Sequence, residues 1–195
     1  MNLSVVRGAA LVTTGAALLL IVSAPGCRAQ AQKDATAERC GVDFKKPAQR
    51  VFADPSGKGP WTEFRDVRSV PDLSLDDGGA VARLWPGSDG SLFIFVEEPA
   101  EDFNIGSEYC FDKTGALTQM RFQVKTAWGW GFREEGPVKD DGIAADTKEF
   151  FDTEKGGSIA RPDEASDIAA ALKPHVYRKI PDLPFGKLLE PPKTD

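Results

Sequence analysis

Three aromatic residues alternate with glycines at Trp128-Gly129-Trp130-Gly131-Phe132. In an extended chain, period two puts the rings on one side and the glycines on the other. Such a platform could stack a sugar, a peptide or a lipid, and Trp128, Trp130 and Phe132 are the candidate ligand-binding residues. The competing use of the same rings is core packing, since each indole carries a large apolar area. A second constellation is acidic: Glu97, Glu98, Glu101 and Asp102. It could hold a hard cation or supply the two carboxyls that glycoside hydrolysis needs, facing each other across about 5 to 10 Å. The spacing is not the Asp-x-Asp-x-Asp-Gly of a calcium loop, so the cluster reads as a solvated loop around Pro99. Asp140, Asp141 and Asp146 read the same way.

His175 is the only histidine, which excludes a histidine-rich zinc site. A Ser-His-Asp arrangement would have to recruit Ser158 or Ser166, and neither sits in a Gly-x-Ser-x-Gly elbow. Asp54 to Gly59 lacks the spacing of a phosphate loop and reads as a turn. No catalytic residue, metal or cofactor is expected from these patterns.

The cysteines speak of compartment. Arg7 precedes an uncharged run from Ala9 to Val22 that suits a signal peptide and is short for a membrane span. Two processing routes compete. Cys27-Arg28-Ala29 has the small residues of an ordinary cleavage site, making residues 1–29 the signal peptide. Ala24-Pro25-Gly26-Cys27 resembles a bacterial lipobox, which implies a signal of residues 1–26 and a diacylated Cys27. Either route leaves Cys40 and Cys110, and in an oxidising compartment these read as a disulfide. Closing a loop of about 70 residues is worth about 4 kcal/mol in the chain-entropy model. No Cys-x-x-Cys redox motif is present.

The 195 residues carry 24 basic and 30 acidic side chains, a net charge of −6. Losing either leader removes Arg7 and makes the balance more negative. An acidic chain is a poor partner for nucleic acid or anionic lipid heads, so contact with a membrane is expected only through a lipid on Cys27.

The elements that must position these residues are mostly strands. Residues 30–39 are polar and alanine-rich and read as a flexible leader, with a single β-rich exported domain expected over 40–195. Ala80 to Trp85 and Leu92 to Val96 read as strands joined by Pro86–Gly90 turn chemistry. Tyr109 and Phe111 should face the core and Cys110 the opposite side. From Leu117 to Thr126 the alternation is clean: Met120, Phe122 and Val124 share one face, Gln119, Arg121, Gln123 and Lys125 the other. That parity runs on through Trp128, Trp130 and Phe132. One strand so long is unusual, so a bend or bulge is expected at Gly129 or Gly131.

Tyr109–Leu117 and Phe150–Ile159 share a pattern of aromatics, Asp, a glycine turn and an aliphatic; Trp85–Leu92 is a looser version. Reused hairpin chemistry explains this without a structural repeat. Pro162 starts a helix whose Ala165, Ile168, Ala169 and Leu172 form an apolar stripe, and Pro174 ends it. The proline-rich tail beyond is too apolar to be wholly disordered and should pack on the sheet.

The fold expected is α+β: an antiparallel meander of about five to seven strands, one C-terminal helix and a Pro-rich wrapping tail. The function expected is a non-catalytic binding or accessory module of the bacterial envelope, periplasmic or secreted, whose partner is an envelope protein, a glycan or a peptide. The alternatives are a structural or assembly partner of another envelope protein and a hydrolase using carboxylates such as Glu98 and Asp102.

Overall fold

The computed structural model describes residues 38–43, 46–140, 142–145 and 148–190. The signal segment with Cys27, most of the leader, Asp141, Asp146 and the last two prolines lie outside the described residues.

A nine-stranded antiparallel sheet dominates, in the spatial order β10-β9-β8-β7-β6-β5-β3-β4, with β11 also paired to β9. The strands are β3 (Arg50–Asp54), β4 (Thr62–Phe64), β5 (Ala80–Pro86), β6 (Leu92–Pro99), β7 (Phe103–Phe111), β8 (Leu117–Thr126), β9 (Trp130–Lys139), β10 (Gly142–Ile143) and β11 (Glu149–Asp152). A separate ribbon pairs β1 (Glu38–Arg39) with β2 (Val42–Asp43). From β5 to β9 each strand pairs with the next, so the centre is a meander. The count exceeds the five to seven expected because Val51 to Gly59, which Pro55, Gly57 and Gly59 mark as loop in the sequence, begins with the buried strand β3, and because β10 and β11 have only two and four residues. Segments that short carry no period to read. β1 also occupies the last two residues of the segment read as leader.

Three turns use the same chemistry. Asp89, Asp112 and Asp152 each accept hydrogen bonds from backbone N–H groups two to four residues on. The glycine that closes each turn, Gly90, Gly115 or Gly156, has a positive φ. The echo seen in the sequence is this shared turn.

One face of the sheet is covered by the tail and the helix; the other, the open face, is charged across its middle but buries Val51, Ala53 and Val81 under Phe64, Val70 and Leu73 at its β3–β5 end. On the covered face lie Phe52, Leu84, Ile94, Val96, Tyr109, Phe111 and Met120, roofed by Leu183 and Phe185 of the tail. Further along it Phe122, Val124, Trp130, Phe132 and Phe150 pack under Ala165 and Ala169 of α1 (Ala165–Ala171), the one α-helix among the described residues. The stripe Ala165–Ile168–Ala169–Leu172 is the packed face of that helix. The tail is therefore part of the core: Phe185 is 1% exposed and stacks on Phe52 at 5.2 Å. On the open face Arg83 pairs with Glu97, Arg121 lies between Glu108 and Glu135, and Arg133 pairs with Glu149.

Cys40 and Cys110 form a disulfide with Cα atoms 5.7 Å apart. Tyr109 and Phe111 are buried on the covered face, so Cys110 between them points to the other side and ties the β1–β2 ribbon there. The ribbon turns at Cys40 and Gly41, both at positive φ, which is the two-residue hairpin geometry matched to strand twist.

Candidate functional site

The Trp128–Phe132 segment is not one long strand with a bend. β8 ends at Thr126, the chain reverses over residues 127–129, and β9 returns from Trp130. Gly129 makes the reversal at φ +84 with open space around it. The Thr126 hydroxyl closes the turn: it donates to the Trp130 carbonyl at 2.6 Å and accepts from the Trp128 N–H at 3.3 Å. Val124 lies opposite Phe132 and Lys125 opposite Gly131. Directly opposed residues point to the same face, so the even-numbered parity survives the reversal even though the strand does not.

The three candidate rings consequently have different surroundings. Trp128, at the turn, is 53% exposed; Trp130 is 4% exposed and Phe132 fully buried. Trp128 stacks on Trp130 at 6.4 Å and 26°, and Phe103 meets it edge-on at 6.1 Å. Trp130 in turn packs on Phe150, and Phe132 on Phe122 and Phe150. The arrangement is one exposed indole held at a fixed angle by buried rings. The Trp130 indole N–H is buried without an acceptor among the described residues, leaving a donor unmet inside this cluster.

Phe150 also floors an open groove of about 740 Å³ between β11 and α1. Its apolar wall continues through Ile159, Ala169 and Ala170; its polar groups are Lys148, Glu149, Ser158, Arg161 and Ser166. Lys148 is committed: its ammonium donates to the Ala169 carbonyl at 2.7 Å, pairs with Glu134 at 2.8 Å and sits 4.8 Å over the Phe132 ring. Glu149 is committed too, accepting two hydrogen bonds at 2.7 Å from Arg133 and one from Ser158. Those bonds, Arg133 first, hold its carboxyl below the usual range. Arg161 donates to the Ser166 hydroxyl at 2.6 Å, and no carboxylate pairs with it among the described residues.

The acidic cluster is dispersed by the sheet. Glu97 and Glu98 belong to β6, not to a loop, and adjacent strand residues face opposite sides. Glu97 on the open face accepts from Arg83 at 2.9 Å and Asn104 at 3.1 Å. Glu101 and Asp102 are exposed in the β6–β7 turn. Glu98 shares the covered face with Ile94 and Val96, and burial raises its pKa, opposed in part by the charge of His175. Around it, the Tyr109 hydroxyl donates to the His175 carbonyl at 2.9 Å, and Tyr177 lies 5.7 Å from the Tyr109 ring. Burial raises both phenols, most strongly Tyr109. Continuing the Ile94–Val96 period by one step would have found Glu98 on that face.

His175 is exposed beside Tyr177 at 6.4 Å. Ser158 and Ser166 bond to Glu149 and Arg161 instead. Asp54 caps its own turn, accepting from Ser56 and Gly59. Asp140 sits at positive φ just after β9. Among the described residues no group of three or more acidic, histidine or cysteine side chains could hold a metal ion, and no helix is long and apolar enough to cross a membrane.

Comparison with protein-family models, with curated proteins and with solved structures finds no match to this chain.

Proposed function

We propose that this protein is an exported, non-catalytic binding or accessory module of the bacterial envelope, periplasmic or secreted, that contacts a glycan or peptide through Trp128. The supporting observation is the 53% exposure of an indole that is nevertheless held in place by Trp130 and Phe103. A rigid, half-exposed aromatic loses little entropy on binding and offers a large flat contact. The export reading rests on the sequence of residues 1–29 and accords with the Cys40–Cys110 disulfide. Dispersal of Glu97, Glu98, Glu101 and Asp102 favours binding over paired-carboxylate hydrolysis. Leu183 and Phe185 are engaged in the protein's own core, which leaves the tail a weaker candidate for an assembly contact.

Tryptophan emission titrated with soluble glycans and peptides tests the reading, with acrylamide as quencher. A ligand that shields Trp128 should lower the quenching, and Trp128→Ala should abolish the response. A response that survives in Trp128→Ala, or none from any glycan or peptide, would defeat the proposal. Intact mass of soluble and membrane fractions decides between cleavage after Ala29 and lipidation at Cys27.

A further inference from the structure

The groove between β11 and α1 is a second place where ligand chemistry is laid out, on residues other than Trp128, so that either reading can fail alone. Three features converge. The wall made by Phe150, Ile159, Ala169 and Ala170 is apolar, and Ile159 is 38% exposed there. The volume of about 740 Å³ lies within the range of small-molecule sites. The charges do not balance. Lys148 answers Glu134 and Glu149 answers Arg133, which leaves the Arg161 guanidinium with the Ser166 hydroxyl as its one hydrogen-bonding partner among the described residues. In a chain of net charge −6, an arginine on the rim of an apolar recess, with no carboxylate ion-paired to it among the described residues, is the uncommon sign. A guanidinium presents its donors as a planar fork that fits a carboxylate.

We propose that this groove binds a small apolar monocarboxylate, of the class of a medium-chain fatty acid. The carboxylate meets Arg161 and the adjacent Ser166 hydroxyl, and the chain lies along Phe150 and Ile159 toward Ala170. Binding is a charge-assisted hydrogen bond at one end and burial of apolar surface along the rest. No bond is made or broken.

Calorimetric titration with decanoate and with decyltrimethylammonium, both below their micelle concentrations, separates head-group recognition from chain burial. The chains are equal and the heads opposite. Non-specific attraction to an acidic protein would favour the cation. Decanoate should bind at least tenfold more tightly than decyltrimethylammonium. Arg161→Gln should remove that preference, and Ala170→Phe should weaken decanoate by filling the groove. Arg161 and Ala170 are both exposed, and unchanged thermal melts would show that the variants fold. Equal affinity for the two amphiphiles, no decanoate binding up to millimolar concentration, or binding indifferent to either variant would overturn the proposal.

Discussion

Phe185→Ala tests whether the proline-rich tail is part of the folded core or merely lies against it. The ring is 1% exposed, parallel to Phe52 at 5.2 Å and 10°, and tilted against Trp61 at 4.9 Å. Cutting a buried phenylalanine back to alanine removes on the order of 100 Å² of apolar surface, about 2–3 kcal/mol of transfer free energy. Loss of the two ring contacts and the residual cavity brings the expected cost to about 3–5 kcal/mol. For a chain of this size that is a fall in Tm of roughly 6–20 °C. Urea unfolding followed by tryptophan emission and far-UV dichroism measures it. Leu188→Ala, at a side chain 41% exposed in the same tail, is the control and should change stability by roughly 0.5 kcal/mol or less. A cost below about 1 kcal/mol for Phe185→Ala, with an unchanged denaturant slope, would show that the tail does not close the core.

Burial raises the pKa of the Glu98 carboxyl, so the folded state takes up its proton more readily than the unfolded chain. Its contribution to stability is therefore full below the unfolded pKa, is lost as pH rises through the raised folded value, and is level above that. Glu98→Gln should stabilise the protein at pH 7 relative to wild type and lose that advantage near pH 3; urea midpoints across this range check the sign. At Gly131 a Cβ would stand 2.5 Å from the Val124 carbonyl oxygen and 2.6 Å from the Phe151 ring, so Gly131→Ala should cost about 1–3 kcal/mol in the same unfolding assay. Gly129 has open space and a left-handed backbone, so Gly129→Asn should be tolerated where Gly131→Asn is not. Replacing Cys40 and Cys110 together by serine should lower stability by about 4 kcal/mol, read by denaturation of the oxidised wild type against the variant, with alkylation mass before and after reduction confirming the bond.

The parts of the fold that could be read locally were readable for local reasons. Met120, Phe122 and Val124 face inward because side chains of an extended strand alternate, and the bounds expected for that strand, Leu117 to Thr126, are those found. The Asp and Gly residues of the three shared turns announce themselves because each turn is closed by its own side chain and a positive φ. The apolar tail could be recognised as packed, since exposing so many aliphatic and aromatic side chains is costly. The reversal at Trp128 was not readable. A hairpin of this register keeps the even-numbered residues on one face through the turn, so the pattern of a long strand and of a reversing one is identical. The short strands β4, β10 and β11 exist because longer neighbours offer them an edge, a cause lying outside their own residues.

Residue chemistry alone settled which side chains can pair, alternate and turn: two cysteines left for each other, a period of two, aspartates and glycines at the corners. Only the folded chain decided which of these groups meet. It buried Trp130 and Phe132 while leaving Trp128 outside, sent Glu97 and Glu98 to opposite faces, and set Arg161 beside an apolar groove. Those outcomes depend on strand register and on what roofs each face. Both are set by contacts between residues distant along the chain, which no local pattern contains.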